Sequence, residues 1–177
     1  MRSQLKRLGL GVQDFETNGK LEIWDWYTAT LGQKSQEKFQ QPSLKVADLS
    51  LRFSQGFKEF ASEGPIPDYL RIFDNCSVLD RFNDNEKSWV EFLLTRIFPT
   101  AVYLKSTLLV GVMRGIHSDR VYRMLEGAVD GVVDFKLDES GDETKNIMRL
   151  RRMRNVGFDS RWHKLQLGEN FKVVVEK

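Results

Sequence analysis

Apolar residues recur along the 177-residue chain with two different periods, and the change from one to the other falls near residue 130. Leu5, Leu8 and Leu10 among Arg2, Lys6 and Arg7 form the single stripe of a short surface helix, closed by Gly9 or Gly11. After a polar turn at Thr17, Asn18 and Gly19, the run from Lys20 to Tyr27 alternates, with Leu21, Ile23 and Asp25 on one face, and predicts a strand. Residues 30–43 are rich in Gln, Lys and Ser, contain Pro42 and lack an apolar period, so they read as a mobile surface loop. Leu44, Leu49, Leu51, Phe53, Phe57 and Phe60 then return at helical spacings, a helix stopped by Gly64, Pro65 and Pro67.

The centre is the most regular stretch. Asp68 to Asn75 is a short apolar strand ending in an acidic residue, and Ser106 to Met113 is a second buried strand. Between them Glu86 to Leu104 presents Trp89, Phe92, Leu93, Ile97 and Phe98 at helical spacing until Pro99 disturbs it. Strand, helix and strand in this order predict a right-handed parallel crossover. Residues 118–127 make a further helix that Ser118 or Asp119 can cap. Beyond Asp130 the period drops to two: GVVDFKL, IMRLRRM, WHKLQL and FKVVVE follow one another across three turns, an antiparallel meander. The fold class is therefore α/β with a C-terminal antiparallel extension.

Composition narrows the function classes. With 27 Lys and Arg against 25 Asp and Glu, anion binding has to come from a local cluster rather than from net charge. One Cys excludes an internal disulfide framework and a multi-Cys metal site. No apolar run approaches the roughly 18 residues of a membrane span, and the N-terminus turns polar and acidic too early for a signal peptide. These features point to a cytoplasmic, reducing-compartment protein.

Several segments fall into one recognisable order: LGLGVQDFETNGKLEIWDWY, the strand ending in Asp74 and followed by Asn75, Cys76 and Ser77, EGAVDGVVDFKL, and MRLRRMRNVGFDSRWHKLQL. Together they resemble the archaeal KaiC-like ATPases of the RecA superfamily, with an HTR-like subgroup the nearest comparison. The basic signature LRVRKMR of that group has its counterpart in Arg149-Leu150-Arg151-Arg152-Met153-Arg154, where Arg152 replaces a Lys. The resemblance implies a partial RecA-like P-loop NTPase sheet with helices on both faces and a C-terminal meander. It makes residues 1–177 one domain, with an α/β part over 1–129 and the meander over 130–177. Such ATPases carry a P-loop, G-x-x-x-x-G-K-S/T, whose N–H groups and Lys surround the phosphates, and a pair of glutamates that activate water. The 177 residues contain no match to that P-loop. The expectation is a shortened member or one that needs a partner, inactive alone, with unpaired edges and with Leu70, Ile72, Leu108 and Val110 seeking cover.

On the resemblance, Asp74 stands where a Walker B carboxylate would hold Mg²⁺ beside ATP; on spacing alone it is an acidic residue ending a buried strand. Arg114 or His117, after the second central strand, lie where sensor residues would face a nucleotide; otherwise His117 caps the next helix or satisfies a loop carbonyl. Alternation puts Arg152 and Arg154 on one face of their strand and Arg149 and Arg151 on the other. The resemblance gives Arg152 and Arg154 a role in trans at a neighbour's γ-phosphate, in a homo-oligomer or on an intact KaiC-like ATPase. A solvated basic hairpin is the plain alternative, and a nucleic-acid surface with Phe158, Trp162 and His163 a third. Cys76 and Ser77 lack the flanking residues of a nucleophile and read as buried small residues, Arg71 as an edge charge, and Trp24 and Trp26 as packing residues of an edge strand. A different class of function also fits: a non-catalytic regulatory or interaction module docking on an intact ATPase or signalling partner.

Overall fold

The computed structural model describes residues 2–7, 9, 11–18, 20–37, 39–41, 43–62, 70–83, 85–167 and 173–176. The chain begins with helices α1 (Arg2–Arg7) and α2 (Val12–Thr17), strand β1 (Trp24–Asp25), a 3-10 turn (Thr28–Leu31) and strand β2 (Phe39–Gln40). Helix α3 (Val46–Ser62), strand β3 (Leu70–Phe73), a 3-10 segment (Cys76–Phe82) and helix α4 (Glu86–Phe92) come next. A π-helical turn (Leu93–Ile97), helix α5 (Phe98–Tyr103), strand β4 (Thr107–Val110) and helix α6 (Asp119–Ala128) follow. Strands β5 (Gly131–Asp138), β6 (Lys145–Met153), β7 (His163–Leu167) and β8 (Val173–Glu176) end the chain. They fall into two compact units, Ile23–Ala128 and, together, Met1–Glu22 with Val129–Lys177.

In the unit Ile23–Ala128, β3 and β4 pair in parallel, Leu70 opposite Thr107 through Phe73 opposite Val110, as a strand-helix-strand crossover requires. One face of the pair packs Phe73, Leu108 and Val110 against a core of Leu44, Leu49, Leu79, Trp89, Leu93 and Val121, among others. The other face stands open, with Leu70, Ile72 and Leu109 exposed by 55%, 67% and 52%. Two expectations are corrected by this register. Leu108 and Val110 are covered, because their side chains share the inner face with Phe73, and Leu109 takes the open side. Arg71 is no edge charge: it is half-buried and its Nη2 donates to Ile97 O (3.3 Å) and Thr100 Oγ1 (3.0 Å).

The helical segment over 86–104 is interrupted near Pro99, as its sequence predicts. Phe98 N–H reaches back to Leu93 O, a bond one residue longer than the α-helical one, and Pro99 opens α5. Proline has no N–H and its ring collides with the carbonyl four residues earlier, so the ladder widens just ahead of it. At the start of α3, Asn83 does what no local residue does. Its Oδ1 accepts from Val46 N–H (2.9 Å), while its amide donates to Leu44 O (3.2 Å) and Leu79 O (2.6 Å).

The strand expected over 20–27 shrinks to Trp24–Asp25, and its parallel partner Phe39–Gln40 comes from the segment read as a loop. Asp25 causes the early ending. Its carboxylate accepts from Tyr27 N (2.9 Å), Thr28 N (2.9 Å) and Ser35 Oγ (2.6 Å), which turns the chain at once. Trp26 packs edge-on against Phe73 at 4.7 Å, as a one-sided packing residue should.

In the other unit, Arg2 clasps Glu16 through two hydrogen bonds of 2.8 and 2.5 Å, tying α1 to α2. Only Val12 of α2 is buried, which leaves its pattern faint in the sequence. Strands β5 to β8 form the antiparallel sheet in simple sequence order. A bulge interrupts the β5–β6 ladder, where Val132 faces Arg152 but Val133 faces Leu150, so that Arg151 is the extra residue. The stripe positions Leu8 and Leu10, the turn residue Gly19, Pro42, the stop at Gly64, Pro65 and Pro67, the strand start at Asp68, and the turn and strand start over 168–172 lie outside the described residues. Among the described residues no helix is long and apolar enough to cross a membrane.

Candidate functional site

The carboxyl ends of β3 and β4 are joined by a short backbone lattice. Gly111 N–H donates to Phe73 O (3.0 Å), Cys76 N–H to Gly111 O (2.8 Å), and Met113 N–H to Ser77 Oγ (2.9 Å). Ser77 is thereby a buried structural acceptor. Cys76 is fully buried, and that burial, followed by the nearby Asp74 charge, pushes its thiol well above the ordinary range. A thiol held protonated is no nucleophile.

Asp74 leaves the end of β3 into solvent, joined to Asn75 by a cis peptide bond. Its carboxylate lies over Gly111, and a Cβ there would stand 2.6 Å from Asp74 Oδ1. The absence of a side chain at Gly111 is what lets the carboxylate occupy this place. Open parallel sheets bind ligands outside the carboxyl ends of their strands, and Asp74 is so placed.

The segment after β4 folds around Tyr122. Its hydroxyl donates to Met113 O (2.8 Å) and accepts from Ile116 N–H (3.2 Å) and His117 N–H (3.1 Å). Arg114 is held at the surface by an ion pair with Glu126 (3.0 Å) and lies 5.3 Å from the Tyr122 ring centroid. His117 corrects the expectation of a helix cap or a satisfied loop histidine. Its side chain is wholly buried and neither ring nitrogen has a hydrogen-bond partner. Ser118 does the capping: its Oγ lies 3.5 Å from Val121 N and donates to Glu86 Oε2 (2.6 Å), while Ser118 N–H donates to Glu86 Oε1 (2.8 Å).

The basic strand β6 lies in the other unit. Arg149 and Arg151 converge on Asp134, with Arg149 Nε and Nη2 each 3.0 Å and Arg151 Nε 3.1 Å from Asp134 Oδ2. Trp162 carries two cations against its ring, the Arg149 guanidinium at 4.5 Å and the Lys136 ammonium at 4.6 Å. Arg152 and Arg154 are exposed, and Arg154 lies 3.6 Å from Asp130 Oδ1. His163 sits 3.5 Å from Asp159, whose carboxyl Arg161 holds far below the usual carboxylate range through side-chain and backbone hydrogen bonds. Phe158 is exposed by 39%. The alternation that separates Arg149 and Arg151 from Arg152 is legible in the sequence, but Asp134 and Lys136, which engage the strand, are ordinary residues of a neighbouring strand there.

No family model matches the sequence, and no curated protein matches it. Solved structures do. Over 99% of its length the chain superposes on 69% of a KaiC-like protein from the hyperthermophilic archaeon Pyrococcus horikoshii OT3, at 18% identity and a TM-score of 0.65. The chain has a KaiC-like, RecA-type fold. A second Pyrococcus horikoshii structure, of an uncharacterized protein in complex with an unknown peptide, matches 98% of the chain over 73% of its own length, at 15% identity and a TM-score of 0.67. In the KaiC-like fold of this chain, β3 and β4 are parallel neighbours and the meander is a separate antiparallel sheet.

Proposed function

We propose that the chain is an ATPase-related protein of the KaiC-like type that contributes a Walker B-like carboxylate, Asp74, and a basic strand acting in trans, but does not hydrolyse ATP alone. The observation that carries this reading is the Asp74 carboxylate at the end of a parallel strand, in the space that a side chain at Gly111 would take. Asp74 fits one ligand of Mg²⁺, an ion bound through one or two carboxylates plus phosphates and water. The residues do not fit ATP itself, because the 177 residues hold no match to the motif whose N–H groups and Lys cradle the phosphates. A phosphate-binding segment or subunit has to supply that part.

Arg152, near the end of β6, and Arg154, just beyond it, are both exposed, which suits contact with a neighbouring subunit. Positive charge delivered there would act where charge develops during phosphoryl transfer. The nucleic-acid reading is less favoured, since Trp162, its best stacking platform, already meets two of the sheet's own cations. Purified chain with ATP and Mg²⁺ in a phosphate-release assay tests the proposal. Background release is expected; turnover that vanishes in Asp74→Ala would overturn it.

A second reading, an interaction module docking on an intact ATPase or signalling partner, is favoured by the open apolar face of Leu70, Ile72 and Leu109. Light scattering at micromolar concentration separates the cases. Reversible self-association or association with an intact relative favours docking, and a monomer that ignores such a relative speaks against it.

A further inference from the structure

Away from Asp74, three metal-ligand side chains converge within the unit Ile23–Ala128. Asp80 comes from the 3-10 segment after β3, Glu86 opens α4, and His117 precedes α6. One ligand atom from each lies within 4.8 Å of the other two, and His117 Nδ1 is already 3.6 Å from Glu86 Oε1. Acidic neighbours alone would mean little. The second observation is His117 itself, 8% exposed as a residue and fully buried as a side chain, with both ring nitrogens lacking a hydrogen bond. A buried imidazole without a partner is costly, and a bound cation would give one of its two nitrogens a partner.

The surroundings orient the two carboxylates. Asp80 Oδ1 accepts from Trp89 Nε1 (3.1 Å), and Ser118 grips both oxygens of Glu86. Those bonds from the Ser118 hydroxyl and N–H fix the direction of the Glu86 carboxylate. The Trp89 ring, 4.9 Å from the imidazole, limits how far His117 can swing. Outer hydrogen bonds of this kind set the direction of metal ligands. Glu86 is one-third exposed, which leaves a path from solvent.

We propose that Asp80, Glu86 and His117 form a binding site for a divalent first-row transition ion, Zn²⁺ being the reference case. One imidazole and two carboxylates suit such ions better than Mg²⁺ or Ca²⁺, which take all-oxygen sets. Tetrahedral bonds of about 2.0–2.1 Å put ligand atoms about 3.3 Å apart, so the ion would draw Asp80 inward and leave a fourth position for water. The site would staple the 3-10 segment, α4 and the start of α6. The competing state is the His117–Glu86 contact alone, with no metal.

The test uses the whole chain after chelator treatment and dialysis, titrated with Zn²⁺ and, for its spectrum, with Co²⁺. Expected are one bound ion per chain, a higher melting temperature with Zn²⁺, and at least tenfold weaker binding in Asp80→Asn and His117→Gln. Because His117 is buried, its variant is checked for folding by circular dichroism, and the half-buried Asp80 decides if that variant fails. Absence of binding at micromolar Zn²⁺, or equal binding by folded Asp80→Asn, overturns the site.

Discussion

The Asp74 carboxylate occupies the space that a Cβ on Gly111 would need, 2.6 Å from Oδ1. Gly111 has no positive φ, so alanine there is strained only by this contact. Because Asp74 is exposed and free to rotate outward, Gly111→Ala should cost less than about 1 kcal/mol in urea unfolding. In an assembly containing an intact P-loop relative, the same change should lower phosphate release as much as Asp74→Ala does. A normal rate would remove Asp74 from the chemistry.

Arg152 and Arg154 are expected to act across a subunit boundary. In mixed assemblies with a P-loop relative, changing both to Ala should cut the relative's hydrolysis tenfold or more while leaving its nucleotide affinity nearly unchanged, since such groups act in the transition state. Steady-state rates and nucleotide titrations measure the two effects. Loss of single-stranded nucleic-acid binding with a shallower salt dependence, at an unchanged rate, would assign the pair to nucleic acid instead.

The legible parts of this fold are those where burial alternates on its own. β3 and β4 carry LRIF and TLLV, and their pairing follows from a helix-length separation. The four C-terminal strands announce themselves by period two between turn residues. Elsewhere the deciding contacts join residues far apart in the chain. Asn83 caps a helix that starts 37 positions earlier, and Glu86 holds Ser118 across 32. No local pattern carries such a pairing, so Glu86 reads only as the first residue of a helix and Asp80 carries no signal. Asp74 and the arginines are legible through a resemblance of segment order, and Ser118 is legible as a cap; the burial of His117 without a hydrogen-bond partner is not.

Asp25 should make stability depend on acid. Burial alone would raise its carboxyl, but hydrogen bonds from Ser35, Thr28 and Tyr27 outweigh burial and hold it far below the usual carboxylate range. A depressed native value stabilises the fold fully above the unfolded value near 3.9, and that contribution is lost as pH falls below it. Asp25→Asn is expected to lose about 1–2 kcal/mol at pH 7, and the gap to the parent should narrow on acidification. Urea midpoints at several pH values would reveal a gap that stays constant, the contrary result.

Asp134 is only 13% exposed at its side chain and receives two guanidiniums. Asp134→Ala leaves both half-buried cations without their carboxylate, and should destabilise the sheet by about 2–3 kcal/mol. Arg149→Ala together with it should cost less than the sum of the two single changes. Strict additivity in a double-mutant cycle would mean that the pair is uncoupled.

Ahead of Pro99 the wide turn also has a bearing on how this stretch can change over time. Trp89, Val90, Phe92, Leu93 and Ile97 are buried, and after the turn no residue of α5 is. One residue rotates a helix by about 100°. The wide turn absorbs that rotation by holding one residue more than an α-helical turn, so deleting Thr95 or Arg96 would restore an ordinary ladder with Thr100 still toward Arg71. Thr95 and Arg96 are exposed, so their side chains are open to replacement. Evolutionary drift is therefore permitted here in letters and, by a single residue, in length: exposed Thr95 or Arg96 can be replaced or lost without turning α5.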